Sequence, residues 1–434
     1  MHQHPAALRV RPPGPLDHTL RPPGSKSLTN RALLLAALAD GRSTLTGCLE
    51  SEDTILMRAA LARLGARSEV EGDGTRISIE GLGGPPRRVD DPERPIEVGT
   101  AGTAARFLAA VLAASPITTL VDGSPRMRER PMALLLETLR AQGAAITCLG
   151  APGSLPARIE GSPGGLLGGE IRLARPPSSQ FISALILAAP LARAPTRIIL
   201  EQGTPARPYV DMSLALLRDF GGRGGWTVDG VEIEVSPGAL RGRDLAIEPD
   251  ASAASYFLAM AAIFGGRVTI PDLGAESVQG DAGFCHVLAA MGAEIEQSAT
   301  ETTLRGRGPL RGIDIDLAAM PDMTLTLAVA ALHARGPTRI RGVEILRHHE
   351  SDRLAAAAAE LRKLGARVDE AEDGLLIDPP AAPTPGVAID TYEDHRMAMA
   401  FSLAGEVTIR DPGCVRKTFP AYFEELARLG MVVT

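Results

Sequence analysis

The sequence predicts an α/β protein of two lobes, with three copies of one helix–strand module in each. Two observations carry that prediction. An amphipathic helix closed by a glycine, usually within a hydrophobic–Gly–small tripeptide, recurs six times along the 434 residues, and each copy follows a second helix that is apolar all round. Self-similarity at a steady period is the mark of a repeat architecture. A third observation sets the grouping: the segments around residues 10–24 and 245–252 read as crossings between halves, so three modules fall on each side.

The first element of each pair is the apolar helix, as in NRALLLAALA, ARFLAAVLAA, FISALILAAP, SYFLAMAAI, LTLAVAALHA and MAMAFSL. Helices without a polar face belong in a core. Each is entered through small or polar residues (SKSLT, GTAGTA, SSQ, DAS, PDMT, DHR). Those read as ordinary N-caps or, six in series, as anion-facing helix starts. The second element ends at Gly65, Gly143, Gly221, Gly292, Gly365 and Gly430, one every 65 to 78 residues. Glycine there suits the left-handed position that closes a helix. A strand–turn–strand usually follows. The lobes are expected over residues 1–24 plus 250–434 and over residues 25–249, with the active site in the cleft between them.

Composition narrows the function. Hydrophobic residues at 45% and charged residues at 22% describe a soluble globular chain. No apolar run approaches the roughly 18 residues of a membrane helix. The start, MHQHPAALRVRPPG, lacks the apolar core of a secretion signal. Cys48, Cys148, Cys285 and Cys414 form no CxxC pair, which argues against a zinc site or disulfide framework and for a reducing, cytoplasmic setting. A net charge of −7 and 3% aromatics do not favour a nucleic-acid partner. Only three of the 45 basic residues are lysines (Lys26, Lys363 and Lys417), and two of them lie in motif-like segments. Lys363, beside a helix stop, reads as a plain surface residue.

Seven segments carry candidate chemistry. RPPGSKSLTNRALLLAAL (21–38) sets Lys26, Ser27 and Arg31 at a helix start, where the two cations suit a phosphate or carboxylate. It lacks the GxxxxGK[ST] of a P-loop. EVGTAGTAARFL (97–108) brings backbone within reach of a small anion at Gly102. DGSPRMRERPM (122–132) places Arg126, Arg128 and Arg130 on alternate positions, one face of an extended segment. RPPSSQFISA (175–184) offers Ser178, Ser179 and Gln180 to phosphate or sugar-like hydroxyls, although capping explains them nearly as well. RHHESDRL (347–354) combines His349, Glu350 and Arg353; adjacent histidines lack the spacing of a helical zinc pair. DTYEDHRMAMAFSL and CVRKTFPAYFEEL add His395, Arg396 and Lys417. A positive pair opening a buried helix is electrostatically odd unless an anion answers it.

Read together and in order, from about residue 20 to residue 426, these segments resemble the 5-enolpyruvylshikimate-3-phosphate synthases of the enolpyruvyl transferase family. The resemblance implies a two-lobed inverse α/β barrel of six βαβαββ-type repeats. It implies transfer of the enolpyruvyl group of phosphoenolpyruvate to the 5-hydroxyl of shikimate 3-phosphate, in the route to chorismate and aromatic amino acids, with no metal and no organic cofactor. A monomer with small-molecule substrates and no membrane or nucleic-acid partner is expected. Carried across by position, shikimate 3-phosphate falls to Lys26, Ser27, Arg31, Ser178, Ser179, Gln180, Tyr209, Asp322 and His349. Phosphoenolpyruvate falls to Lys26, Gly102, Arg126, Gln180, Arg353, Arg396 and Lys417. The catalytic candidates are Asp322, Glu350, Lys26 and His349, with Asp322 taking the hydroxyl proton. Glyphosate is then expected to compete with phosphoenolpyruvate. Thr100, Phe107, Ala206, Ile345 and His349 depart from the usual pattern. They leave open a paralogue with another acceptor, and a non-catalytic binding protein stays open beside it. UDP-N-acetylglucosamine enolpyruvyl transferases fit less well, because their loop cysteine and Lys-Asn pair are absent.

Overall fold

The computed structural model describes residues 5–434. Two compact units divide the chain, one of residues 24–247 and one of residues 1–23 with 248–434. Along the chain the helices are α1 (Lys26–Leu38), α2 (Glu52–Arg63), α3 (Gly102–Ala113), α4 (Pro125–Glu129), α5 (Ala133–Ala141), α6 (Ser179–Ala188) and α7 (Arg207–Asp219) in the first unit. The second unit holds α8 (Ala251–Phe264), α9 (Phe284–Ala290), α10 (Thr324–Ala331), α11 (Arg353–Lys363), α12 (His395–Phe401) and α13 (Tyr422–Arg428).

The apolar helices α1, α3 and α6 form the core of one unit, and α8, α10 and α12 that of the other. Every residue of α3 is buried. Four of the six are capped by side chains: Ser25, Ser178, Asp250 and Asp394 each accept a first-turn backbone N–H. No side-chain cap bonds the start of α3 or α10. The amphipathic helices α2, α5, α7, α9, α11 and α13 end as their glycines require. Gly65, Gly143, Gly221, Gly292, Gly365 and Gly430 all have positive φ. A Cβ added at Gly221 or Gly292 would meet nothing within 4 Å, so backbone conformation and not crowding selects glycine there.

The strands repeat with the helices. Six four-stranded sheets share one order, a parallel pair followed by two antiparallel neighbours. In one of them Ile96–Glu97 lies parallel to Thr118–Asp122, which pairs antiparallel with Ala157–Glu160, itself antiparallel to Ala145–Cys148. The chain's first strand completes its last repeat: Ala7–Arg11 runs between Val407–Arg410 and Val432–Val433, with Leu8 opposite Ile409. Asp244–Ala246 closes the first repeat by lying parallel to Arg42–Thr46. With apolar helices inside and half-exposed sheets outside, each unit is an inverse α/β barrel. Truncating a core side chain such as Phe107, fully buried, costs about 3–5 kcal/mol.

One expectation is corrected. Residues 125–129 are helical (α4), not extended, because Ser124 accepts the Met127 N–H and Pro125 occupies the first turn. Arg126, Arg128 and Arg130 therefore do not share a face. Arg126 pairs with Glu129, Arg128 with Asp122, and buried Arg130 donates to the Thr100 carbonyl at 3.0 Å. Lys363 is exposed, as expected of a surface residue, but it is not an isolated charge. Its Nζ lies 2.8 Å from both oxygens of Glu360, a fully buried carboxylate, and 2.7 Å from Asp390 Oδ2.

Candidate active site

In the unit of residues 24–247, the starts of the apolar helices carry the candidates. Lys26 opens α1, and its Nζ lies 3.4 Å from Asp53 Oδ2, a buried carboxylate in the first turn of α2. Ser27 is half-buried and lends its carbonyl to Arg31 Nη1 at 3.0 Å. Arg31 is only 1% exposed. Its guanidinium donates to Ser213 Oγ at 2.8 Å, Ser183 Oγ at 3.2 Å and the Tyr209 carbonyl at 3.0 Å, and it lies over the Phe107 ring. These acceptors are neutral, and burial pushes the Arg31 pKa down to about 10. A buried cation held by neutral groups favours a negative ligand.

The start of α3 adds a second group. Arg106 Nη1 donates to Gln180 Oε1 at 2.6 Å and Nη2 to the Pro131 carbonyl at 2.9 Å. A Cβ on Gly102 would lie 2.5 Å from Arg106 Nη1 and 2.8 Å from Arg130 Nη2. Gly102 thus lets two guanidinium groups sit against bare backbone. Ser178 caps α6 by accepting the Gln180 N–H at 3.2 Å, and Ser179 is buried in its first turn. Arg126 is 37% exposed and pairs with Glu129.

In the other unit, four separate segments converge on one ion network. Arg353, the first residue of α11, is 2% exposed. It donates to Asp394 Oδ2 at 2.7 Å, Asp322 Oδ1 at 2.9 Å and Glu350 Oε2 at 2.9 Å. Burial works against its charge, but Asp394, Glu350 and Asp322 outweigh burial and hold its pKa above the ordinary arginine range. Arg396 Nη2 donates to Asp322 Oδ2 at 2.9 Å, with Ser252 Oγ at 3.4 Å and Tyr256 Oη at 3.5 Å from the same guanidinium. Lys417 Nζ lies 3.0 Å from Glu350 Oε1. His349 Nδ1 is 3.0 Å from Arg353 Nη1, so Nδ1 accepts and the ring proton belongs on Nε2. Asp322, His349, Glu350, Arg353, Arg396 and Lys417 thereby form one connected cluster.

Sequence reasoning missed several members. Asp394 appeared only as part of a helix-entry motif, yet it anchors Arg353 and accepts the Arg396 N–H at 2.9 Å. Asp53 sits in SEDT, a readable helix start, but nothing local announces Lys26 as its partner. Arg106 was one arginine in an apolar run. Ser252, whose hydroxyl is 2.5 Å from Asp281 Oδ2, carries no sequence signal beyond a helix entry.

Residues 10–426 match the family described as EPSP synthase (3-phosphoshikimate 1-carboxyvinyltransferase). The chain is 44% identical to the 3-phosphoshikimate 1-carboxyvinyltransferase of Serratia proteamaculans, over 98% of this chain and 99% of that protein. The enzyme of that name from Photobacterium profundum is also 44% identical, with the same coverage. Among solved structures, an EPSP synthase from Acinetobacter baumannii superposes with a TM-score of 0.81 at 27% identity, covering 99% of each chain. The enolpyruvyl transferase NikO from Streptomyces tendae shares the fold, with a TM-score of 0.78 at 19% identity over 99% of this chain and 98% of that one. Two inverse barrels, each with its own cluster of guanidinium and ammonium groups, and a sequence matched almost end to end make this chain a member of the EPSP synthase family.

Proposed function

We propose that the two residue sets serve one reaction, transfer of the enolpyruvyl group of phosphoenolpyruvate to the 5-hydroxyl of shikimate 3-phosphate with release of phosphate. The observation that carries the reading is the cluster of Arg353, Arg396 and Lys417 around Asp322 and Glu350. Both substrates are multiply anionic, and the reaction creates no strong nucleophile without proton transfer. The 5-hydroxyl loses its proton as its oxygen bonds to C2 of phosphoenolpyruvate, and C3 gains a proton to become a methyl group. The tetrahedral adduct then loses a C3 proton and expels phosphate, restoring the double bond. Fixed positive charge around the departing phosphate and placed carboxylates meet these needs.

In this reading Lys26, Gly102, Arg126, Gln180, Arg353, Arg396 and Lys417 hold phosphoenolpyruvate. Lys26, Ser27, Arg31, Ser178, Ser179, Gln180, Tyr209, Asp322 and His349 hold shikimate 3-phosphate. Asp322 and Glu350 move the protons. Each oxygen of Asp322 already accepts from a guanidinium, so taking the hydroxyl proton requires the network to loosen as substrate enters. The cytoplasm is the compartment we assign; the four cysteines, all free, suit a reducing one.

The test is a coupled assay of phosphate release. Turnover is expected with phosphoenolpyruvate and shikimate 3-phosphate together and with neither alone. Equal turnover with unphosphorylated shikimate overturns the acceptor assignment. It would favour a paralogous acceptor, to which Ala206 points because it lacks the hydroxyl that the family places there.

A further inference from the structure

We propose that the strap of residues 390–394 positions the phosphoenolpyruvate-binding arginines, latched to α11 by Tyr392 and Glu360; the ligand named here rests on the enolpyruvyl-transfer reading. Two consecutive residues of the strap, Tyr392 (φ 55°) and Glu393 (φ 56°), adopt the left-handed backbone conformation. A side chain there crowds the following carbonyl, so residues bearing a Cβ rarely occupy it. Such a conformation persists only where its surroundings impose it.

The restraint is visible at both ends of the strap. Glu360 lies seven residues after Arg353 on α11, two turns along the same side. It is fully buried. The Tyr392 hydroxyl donates to Glu360 Oε1 at 2.7 Å, and the Asp390 N–H donates to Oε2 at 3.3 Å. Lys363 bridges Glu360 and the Asp390 carboxylate. One residue beyond the strained pair, fully buried Asp394 accepts from Arg353 Nε at 2.7 Å and Nη2 at 3.2 Å. The same carboxylate caps α12 at the Arg396 N–H. One helix therefore grips the strap twice, through Glu360 at its start and Arg353 at its end. Asp394 fixes the plane of the Arg353 guanidinium and the turn that projects Arg396. Releasing the Tyr392 hydroxyl lets the left-handed pair relax, and Asp394 moves with it. Tyr392 acts through Asp394, which makes it a positioning residue.

The experiment compares wild type, Tyr392→Phe and the double variant Tyr392→Phe/Glu393→Gly, in which glycine adopts positive φ without penalty. Amide exchange of residues 390–400, followed by mass spectrometry without substrate, reads the strap directly. In Tyr392→Phe it is expected to speed up about tenfold or more. The KM for phosphoenolpyruvate is expected to rise about 5–20-fold, with kcat and the KM for shikimate 3-phosphate within about twofold of wild type. Glycine at 393 should recover most of both changes. Unchanged exchange overturns the latch. So does faster exchange with an unaltered phosphoenolpyruvate KM, or an equal rise in both KM values. A wild type that shows no turnover contradicts enolpyruvyl transfer and not the latch, which the exchange rates then decide alone.

Discussion

Lys26 and Lys417 have different surroundings and the same predicted importance. Each lies within ion-pair reach of a carboxylate, Asp53 for Lys26 and Glu350 for Lys417, on mostly buried side chains. Replacing either with methionine keeps the stem and removes the charge. We expect kcat/KM to fall at least about 10²-fold in each variant, the scale of losing one preorganised charge contact. Wild-type kinetics in Lys26→Met would remove that residue from the site. Gly102 is legible in the sequence as a glycine at a helix start, but its reason is not. Alanine there pushes on the far ends of Arg106 and Arg130, which can yield. Gly102→Ala should therefore raise the inhibition constant of glyphosate more than the KM of phosphoenolpyruvate, and equal changes in the two contradict that placement. His333 governs stability instead. Burial pushes its pKa down to about 4, against a hydrogen bond to the Leu403 backbone, and its Nε2 has no hydrogen-bond partner among the described residues. The folded state thus favours neutral imidazole, while the unfolded chain protonates near 6.5. Stability from this group is complete above about pH 6.5 and is lost as pH falls toward 4, at most about 3 kcal/mol. Denaturant titrations of His333→Leu should be flatter by that amount between pH 6.5 and 4; parallel curves contradict the assignment.

At the scale of elements, periodic and conformational signals were legible, while long-range pairing was not. The six closing glycines are readable because a helix needs a left-handed residue to end there, and the apolar helices because nothing polar interrupts them. The brief helix α4 escaped the reading because alternate arginines suggest a strand, and five residues give no helical period to weigh against them. The Ser-Pro start at 124–125 was the available signal. Arg353 and Asp394 are 41 residues apart and Lys26 and Asp53 are 27 apart, so only the fold brings each pair together. Lys363 mixes both cases. Glu360 sits three residues before it on α11, a readable spacing, whereas Asp390 and Tyr392 arrive from another segment. Removing the lysine leaves a buried carboxylate with less compensation. Lys363→Met should lower the unfolding free energy by about 1–3 kcal/mol while kcat at saturating substrate stays within about twofold. A variant as stable as wild type by chemical denaturation would show that the Tyr392 and Asp390 bonds alone satisfy Glu360.

Across the whole molecule, one module made six times yields two barrels with differing electrostatics. The unit of residues 24–247 buries Arg31 on neutral acceptors, whereas the other ties Arg353, Arg396 and Lys417 to Asp322, Glu350 and Asp394. A cation without a counter-charge gains most from an anionic substrate. A network of paired charges can exchange partners and move protons as that substrate arrives. In the proposed reaction addition precedes elimination, and C3 of phosphoenolpyruvate is transiently a methyl group. Turnover in deuterium oxide, with the product's mass distribution recorded, tests that claim most directly. The account predicts deuterium in the vinyl methylene of enolpyruvylshikimate 3-phosphate, with one phosphate released per acceptor consumed. Product formed at the normal rate with an unlabelled methylene, or phosphate released without an acceptor-linked enolpyruvyl group, would contradict it.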